Sequence, residues 1–183
     1  LNGGRPVFIK LKLPDYTIDC DEVNKAVNSN TKLIIINSPH NPTGKVFSEE
    51  DISSLKKVVS GTKILILSDE VYEHIIFDGK EHNSLAKYPE LAERSILVYS
   101  FGKMYHATGW KTGYFLAPEQ ITAEIRKVHQ FSVFAVNTPI QYALSEYIKN
   151  DFEYLRLSEF YQEKRDYFNS IVTNIGFEID PTS

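Results

Sequence analysis

Lys103 stands where an α/β protein most often places its chemistry. It follows Ile96-Leu97-Val98-Tyr99, a short apolar run, β-branched at its start, that reads as a buried strand. Ser100-Phe101-Gly102 then turns and leaves the lysine at the strand's carboxyl end, where ligands gather in open sheets. An amine shielded from water loses its proton readily and condenses with aldehydes. Taken singly, a lysine after a strand is more often a solvated loop residue. Asn41 lies in Ser38-Pro39-His40-Asn41-Pro42-Thr43-Gly44, whose prolines and glycine stiffen the path and leave the Asn amide free to hold a ligand. The same run also reads as a plain tight turn. Asp69 follows Lys63-Ile-Leu-Ile-Leu-Ser68 directly and opens Asp69-Glu70-Val71-Tyr72. An Asp after an apolar strand is usually polar punctuation, but this one ends on the edge that faces Lys103.

Positioning these groups requires a parallel sheet. Residues 32–37 are nearly all apolar, the pattern of a strand covered on both faces. Ser48 with Glu49, Glu50 and Asp51 marks a helix start, Ile52, Leu55, Val58 and Val59 its apolar stripe, and Gly61 its stop. With the strand at 63–68 this makes a βαβ unit, whose crossover is right-handed. Upstream, residues 6–13 alternate as a strand, and Asp19 caps a short helix through Val23, Ala26 and Val27. Downstream, 112–117 reads as a strand. Pro118-Glu119 opens a helix with Ile121, Ile125, Val128 and Phe131 on its apolar face, and Thr138-Pro139 opens another through Tyr142, Leu144, Tyr147 and Ile148. One long helix is expected over 151–174, with Leu155, Phe160, Tyr161, Phe168, Ile171 and Val172 inward and Gly176 ending it. Phe177 to Asp180 begins a further strand.

The features on this edge occur together and in order: Asn-Pro-Thr-Gly, Asp-Glu-Val-Tyr, Ser-Phe-Gly-Lys and Gly109-Trp-Lys-Thr-Gly-Tyr114. In that order they resemble the pyridoxal-phosphate enzymes of the aspartate-aminotransferase-like fold, class I aminotransferases in particular. Ser-Pro-His-Asn-Pro-Thr-Gly, Lys-x-Tyr-His-x-Thr-Gly-Trp-Lys and Ala-Glu-Ile-Arg-Lys-Val-His-Gln look most like the methionine and kynurenine branch. The resemblance runs from Pro6 to Thr182. It implies an α/β fold: part of a three-layer large domain, a mostly parallel sheet with helices on both faces, and a long C-terminal connecting helix. Residues 1–150 would be the central part of the cofactor domain, and 151–183 the connecting helix and the start of a small domain. By the same resemblance Lys103 would carry pyridoxal 5'-phosphate as an imine and shuttle a proton, and Asp69 would keep the pyridine nitrogen protonated. Asn41 and Tyr72 would bond the ring's phenolic oxygen, and Ser100 and Lys111 the phosphate. The family often has Arg where Lys111 stands, so other donors should share the phosphate. Substrates would be an amino acid, bulky and neutral, and a 2-oxo acid, and the assembly a homodimer. A cysteine-conjugate β-lyase and a non-catalytic, truncated or cofactor-sensing domain are the alternatives. Family members are longer, so the stacking aromatic is expected before Leu1 and the substrate-carboxylate arginine after Ser183. Arg5, Arg94, Arg126, Arg156 and Arg165 stand outside that arginine's motif.

Composition narrows the setting. The 183 residues are 42% hydrophobic and 24% charged, as in ordinary globular chains. A net charge of −4 with no Lys/Arg cluster argues against a nucleic-acid surface. No apolar stretch is long enough to cross a bilayer. Cys20 is the single cysteine, and His74, His82 and His129 lack ligand spacing, so no metal is assigned. A reducing, cytoplasmic setting is the default, and no signal-peptide pattern opens the chain, although Leu1 is not a natural initiator. Trp110 is expected to be a packing anchor, and Tyr105 and His106 to line the site or a subunit boundary.

Overall fold

Three of the apolar runs pair as parallel strands: β1 (Leu33–Asn37), β2 (Leu65–Asp69) and β3 (Ser95–Ser100). β4 (Gly113–Leu116) joins β3 antiparallel, giving the order β1-β2-β3-β4. The computed structural model describes residues 3–150 and 153–179. Its register sets Asn37 opposite Asp69, Asp69 opposite Val98, and Ser100 opposite Gly113. Strand side chains alternate between faces. Ile34, Ile36, Ile66, Ser68, Leu97 and Tyr99 therefore share one face, and Asn37, Asp69, Val98 and Ser100 the other.

The first face is the core. α2 (Glu49–Val59) lays Ile52, Leu55, Val58 and Val59 against it, and α1 (Cys20–Ala26) adds Val23 from the flank. Leu85, in a short 3-10 turn, and Leu91, in α3 (Pro89–Ala92), close the side nearest β3. Each fully buried aliphatic side chain here contributes about 1.5–3 kcal/mol. The helix ends follow the sequence signals. Asp19 accepts from Asp21 N and Glu22 N, and Ser48 and Asp51 form a reciprocal capping box. Beyond α2, Arg94 Nη1 donates to the carbonyls of Val59 (3.1 Å) and Thr62 (3.0 Å), and Thr62 N and Oγ1 also donate to the Val59 carbonyl.

The remaining helices are α4 (Phe101–Met104), α5 (Glu119–Ser132), α6 (Thr138–Asn150) and α7 (Leu157–Asn174). α7 is preceded by a 3-10 turn, Glu153–Arg156, so the expected single helix begins differently; positions 151 and 152 lie outside the described residues. Its end is a Schellman motif, with Phe177 N on Val172 O and Gly176 N on Thr173 O. Several expected inward positions instead face out: Leu155, Phe160, Phe168 and Ile171 are exposed, as are Val128 and Phe131 of α5 and Tyr142 of α6. The reason is one-sided anchorage. α7 is held where Ser158 bonds the Ile76 carbonyl and Arg165 grips Asp78, while the rest of its stripe points away. Residues 6–13 form no strand; lacking a neighbour to pair with, they make one bridge, Lys12 with Thr17. Residues 177–179 are not a strand either, and Asp180 lies outside the described residues.

Candidate functional site

β1, β2 and β3 all end on one edge, and hydrogen bonds fasten their loops across it. Asn37 Nδ2 donates to Asp69 O (2.9 Å), and Ser38 N donates to the same oxygen (3.1 Å). Asn37 Oδ1 in turn accepts from Asn41 N (2.8 Å). The proline loop is thus stitched over the end of β2. From it Asn41 Nδ2 reaches the Tyr72 hydroxyl at 3.4 Å. Lys103, on α4, holds its ammonium 5.2 Å from the centre of the Tyr72 ring. These three side chains, from two loops and α4, converge. Asp69, at the end of β2, lies on the face of the sheet opposite the core, with Val71 N on its Oδ1 (3.3 Å). Ser100 lines a narrow cavity with Lys103, Val71, Glu73 and His74. Lys111 is not brought into contact with this group. It ends the turn Thr108–Trp110 in a left-handed conformation (φ 54°), exposed and two residues before Gly113, the ladder partner of Ser100.

The Lys103 turn depends on a close approach. A Cβ on Gly102 would lie 2.9 Å from Thr108 Cα, and Thr108 Oγ1 also donates to Gly102 O (3.2 Å). Trp110 does not anchor the loop: the turn carries it to the outside, where it is 48% exposed. Tyr105 and His106 line a cleft of about 420 Å³ with Tyr147, Tyr154 and Phe160.

Three residues escaped the sequence reading. Asn37 ends β1 in register with Asp69, which its position after an apolar run could have signalled. Glu70 is buried and bonded on both carboxylate oxygens, to Ser68, Leu85, Tyr99 and His82. Burial alone would push Glu70 up, but its hydrogen bonds, led by His82, outweigh that and hold it below the usual carboxylate range. Glu73 lacks such donors, and burial pushes it up to about 7. Burial also lowers His74, its neighbour at 3.5 Å. Tyr114 is pushed up to about 12 by burial and nearby Glu73.

An amine, a carboxylate, a phenol, an amide and a hydroxyl thus lie at the carboxyl edge of a mostly parallel sheet, the edge at which open α/β sheets bind ligands. The chain belongs to the aminotransferase class I and II family, whose model matches residues 1–182. It is 43% identical to the methionine aminotransferase of Escherichia coli over 99% of this chain and 47% of that protein. To the kynurenine–oxoglutarate transaminase of Dictyostelium discoideum it is 37% identical, over 96% and 45%. A solved Escherichia coli structure assigned a methionine aminotransferase function superposes with a TM-score of 0.91 at 44% identity, covering 94% of this chain and 46% of that one. The N-succinyldiaminopimelate aminotransferase of Mycobacterium tuberculosis gives 0.88 at 33%, covering 93% and 45%. The chain spans about half the length of the curated relatives it matches.

Proposed function

We propose that the protein uses pyridoxal 5'-phosphate to move an amino group from a bulky neutral amino acid, methionine-like or aromatic, to a 2-oxo acid. The observation that carries this is the convergence of Asn41, Tyr72 and Lys103 at the sheet edge where β2 ends in Asp69. The donor set fits the cofactor. Two neutral donors from different loops, 3.4 Å apart, suit one shared acceptor oxygen. A carboxylate on the face opposite the core suits a protonated ring nitrogen, and the hydroxyl of Ser100 and the exposed cation of Lys111 suit phosphate. When bound, the cofactor supplies an electron sink for a substrate carbanion. Lys103 is its covalent attachment point and moves the substrate proton at Nζ. Asp69 keeps the ring charged, while Asn41 and Tyr72 fix its tilt. Residues 1–150 act as the central cofactor domain and 151–183 as the connection to a second domain. The whole protein works as a cytoplasmic homodimer.

The test is borohydride trapping in the full-length protein. Wild type should fix cofactor covalently and Lys103→Ala should fix none; trapping undiminished in the variant would remove the lysine assignment. Keto acid from methionine marks transamination. Pyruvate and ammonia from a cysteine conjugate, without that keto acid, would assign β-elimination instead, and cofactor binding without turnover a non-catalytic role.

A further inference from the structure

Glu70 is 1% exposed, yet four donors converge on its carboxylate. Ser68 Oγ (2.9 Å) and Leu85 N (3.2 Å) bond Oε1, while Tyr99 OH (3.0 Å) and His82 Nε2 (2.9 Å) bond Oε2. Its backbone N–H also donates to Val98 O (2.9 Å), across to β3. Glu70 directly follows Asp69, and its side chain enters the core while that of Asp69 occupies the opposite face. The peptide joining them is gripped from both flanks. Its carbonyl, that of Asp69, is held by Ser38 N and Asn37 Nδ2, and its N–H, that of Glu70, by β3. Core stability alone does not ask for the whole polar cluster here, since apolar side chains in place of the carboxylate and its side-chain donors together would avoid the desolvation cost. A bonded carboxylate does fix direction, as the supporting shell of a site must.

We infer that Glu70, braced by Tyr99 and His82, is a positioning residue that aims the Asp69 carboxylate at the ring nitrogen of the cofactor. This rests on the cofactor site proposed above. Other ionisable groups nearby include Glu73 and His74, on the segment that follows and against the Lys103 cavity, and Tyr114, stacked on Tyr99. A ring nitrogen that loses its charge withdraws fewer electrons, so the chromophore formed with Lys103 holds its proton to higher pH.

The measurement is the pH midpoint of the bound cofactor's visible absorption in full-length protein, with cofactor affinity alongside. Asp69→Asn should move the midpoint upward by about one pH unit or more. Glu70→Gln gives Tyr99 and His82 a donor instead of an acceptor; it should move the midpoint the same way by about half a unit and weaken cofactor binding about tenfold. Tyr99→Phe removes one donor but keeps the ring stacked on Tyr114, 4.9 Å between centres. It should give a smaller shift of the same sign, and it carries the test if Glu70→Gln fails to fold. Unshifted midpoints in both supporting variants, beside a shifted Asp69→Asn, would make Glu70 a core residue only. An unshifted Asp69→Asn would instead bring down the cofactor site itself, and this inference with it.

Discussion

Glu73 shows how a single ionisation can couple the site to stability. Burial holds its proton to about pH 7 in the folded chain, against 4.5 for a free side chain; His82 opposes the shift and Glu70 adds to it. Between those values the folded state binds more protons than the unfolded one, so stability falls as pH rises through this window and stays lower above it. Glu73→Gln should remove that fall and stabilise the protein at pH 8 by on the order of 1–2 kcal/mol, after allowance for solvent screening. Denaturant melts at pH 5 and pH 8 would show it, and an undiminished pH slope in the variant would count against it. The placement of Lys103, Asp69 and Asn41 at one sheet edge was legible in the sequence because each follows an apolar strand or sits between prolines. Glu73 was not, because its peculiarity comes from what surrounds it and not from its neighbours in the chain.

At the scale of elements, two contacts decide whether the site keeps its shape. Gly102→Ala would force the Lys103 turn away from Thr108, a backbone conflict at 2.9 Å that no rotamer relieves. The expected cost is about 2 kcal/mol or more, with loss of cofactor retention on gel filtration; full retention would mean the turn can yield. The second contact joins α7 to the segment after Tyr72. Arg165 grips both oxygens of Asp78 at 2.7 Å and lies 4.8 Å over the Phe77 ring, and Gln162 accepts from Asp78 N (2.9 Å). Asp78 is half exposed, so Arg165→Met should cost only about 1 kcal/mol globally, yet amide exchange at residues 76–79 should quicken. Unchanged exchange there would show that Ser158 and Gln162 suffice. The starts of α1 and α2 and the end of α7 read correctly because caps are local chemistry: Asp19, Ser48 and Gly176 all act as their types suggest. Burial of α7 did not read correctly, because periodicity marks an apolar stripe without saying what covers it. The strand expected at 6–13 failed for the same reason, since alternation supplies no pairing partner.

Over the whole molecule, apolar surface is unevenly distributed. The βαβ face is sealed, whereas α5 to α7 present Val128, Phe131, Phe160, Phe168 and Ile171 outward, Phe131 at 89% exposure. So many exposed large apolar side chains on a chain spanning about half of its relatives call for a cover. Residues 1–183 expressed alone should self-associate, running larger than a monomer in light scattering, whereas the full-length protein should give one discrete species. A monodisperse monomer of the short chain would contradict this.

β3 and β4 meet so closely at their ends that a Cβ on Gly113 would lie 2.4 Å from Tyr99 O. Everything between Phe101 and Thr112 therefore leaves the sheet and re-enters it through one drawn neck, like the mouth of a tied bag. Lys103 sits near one seam and Lys111 near the other. The same stretch transplanted from a relative would bring both cations across together, their mutual spacing intact, without disturbing the register of a single strand.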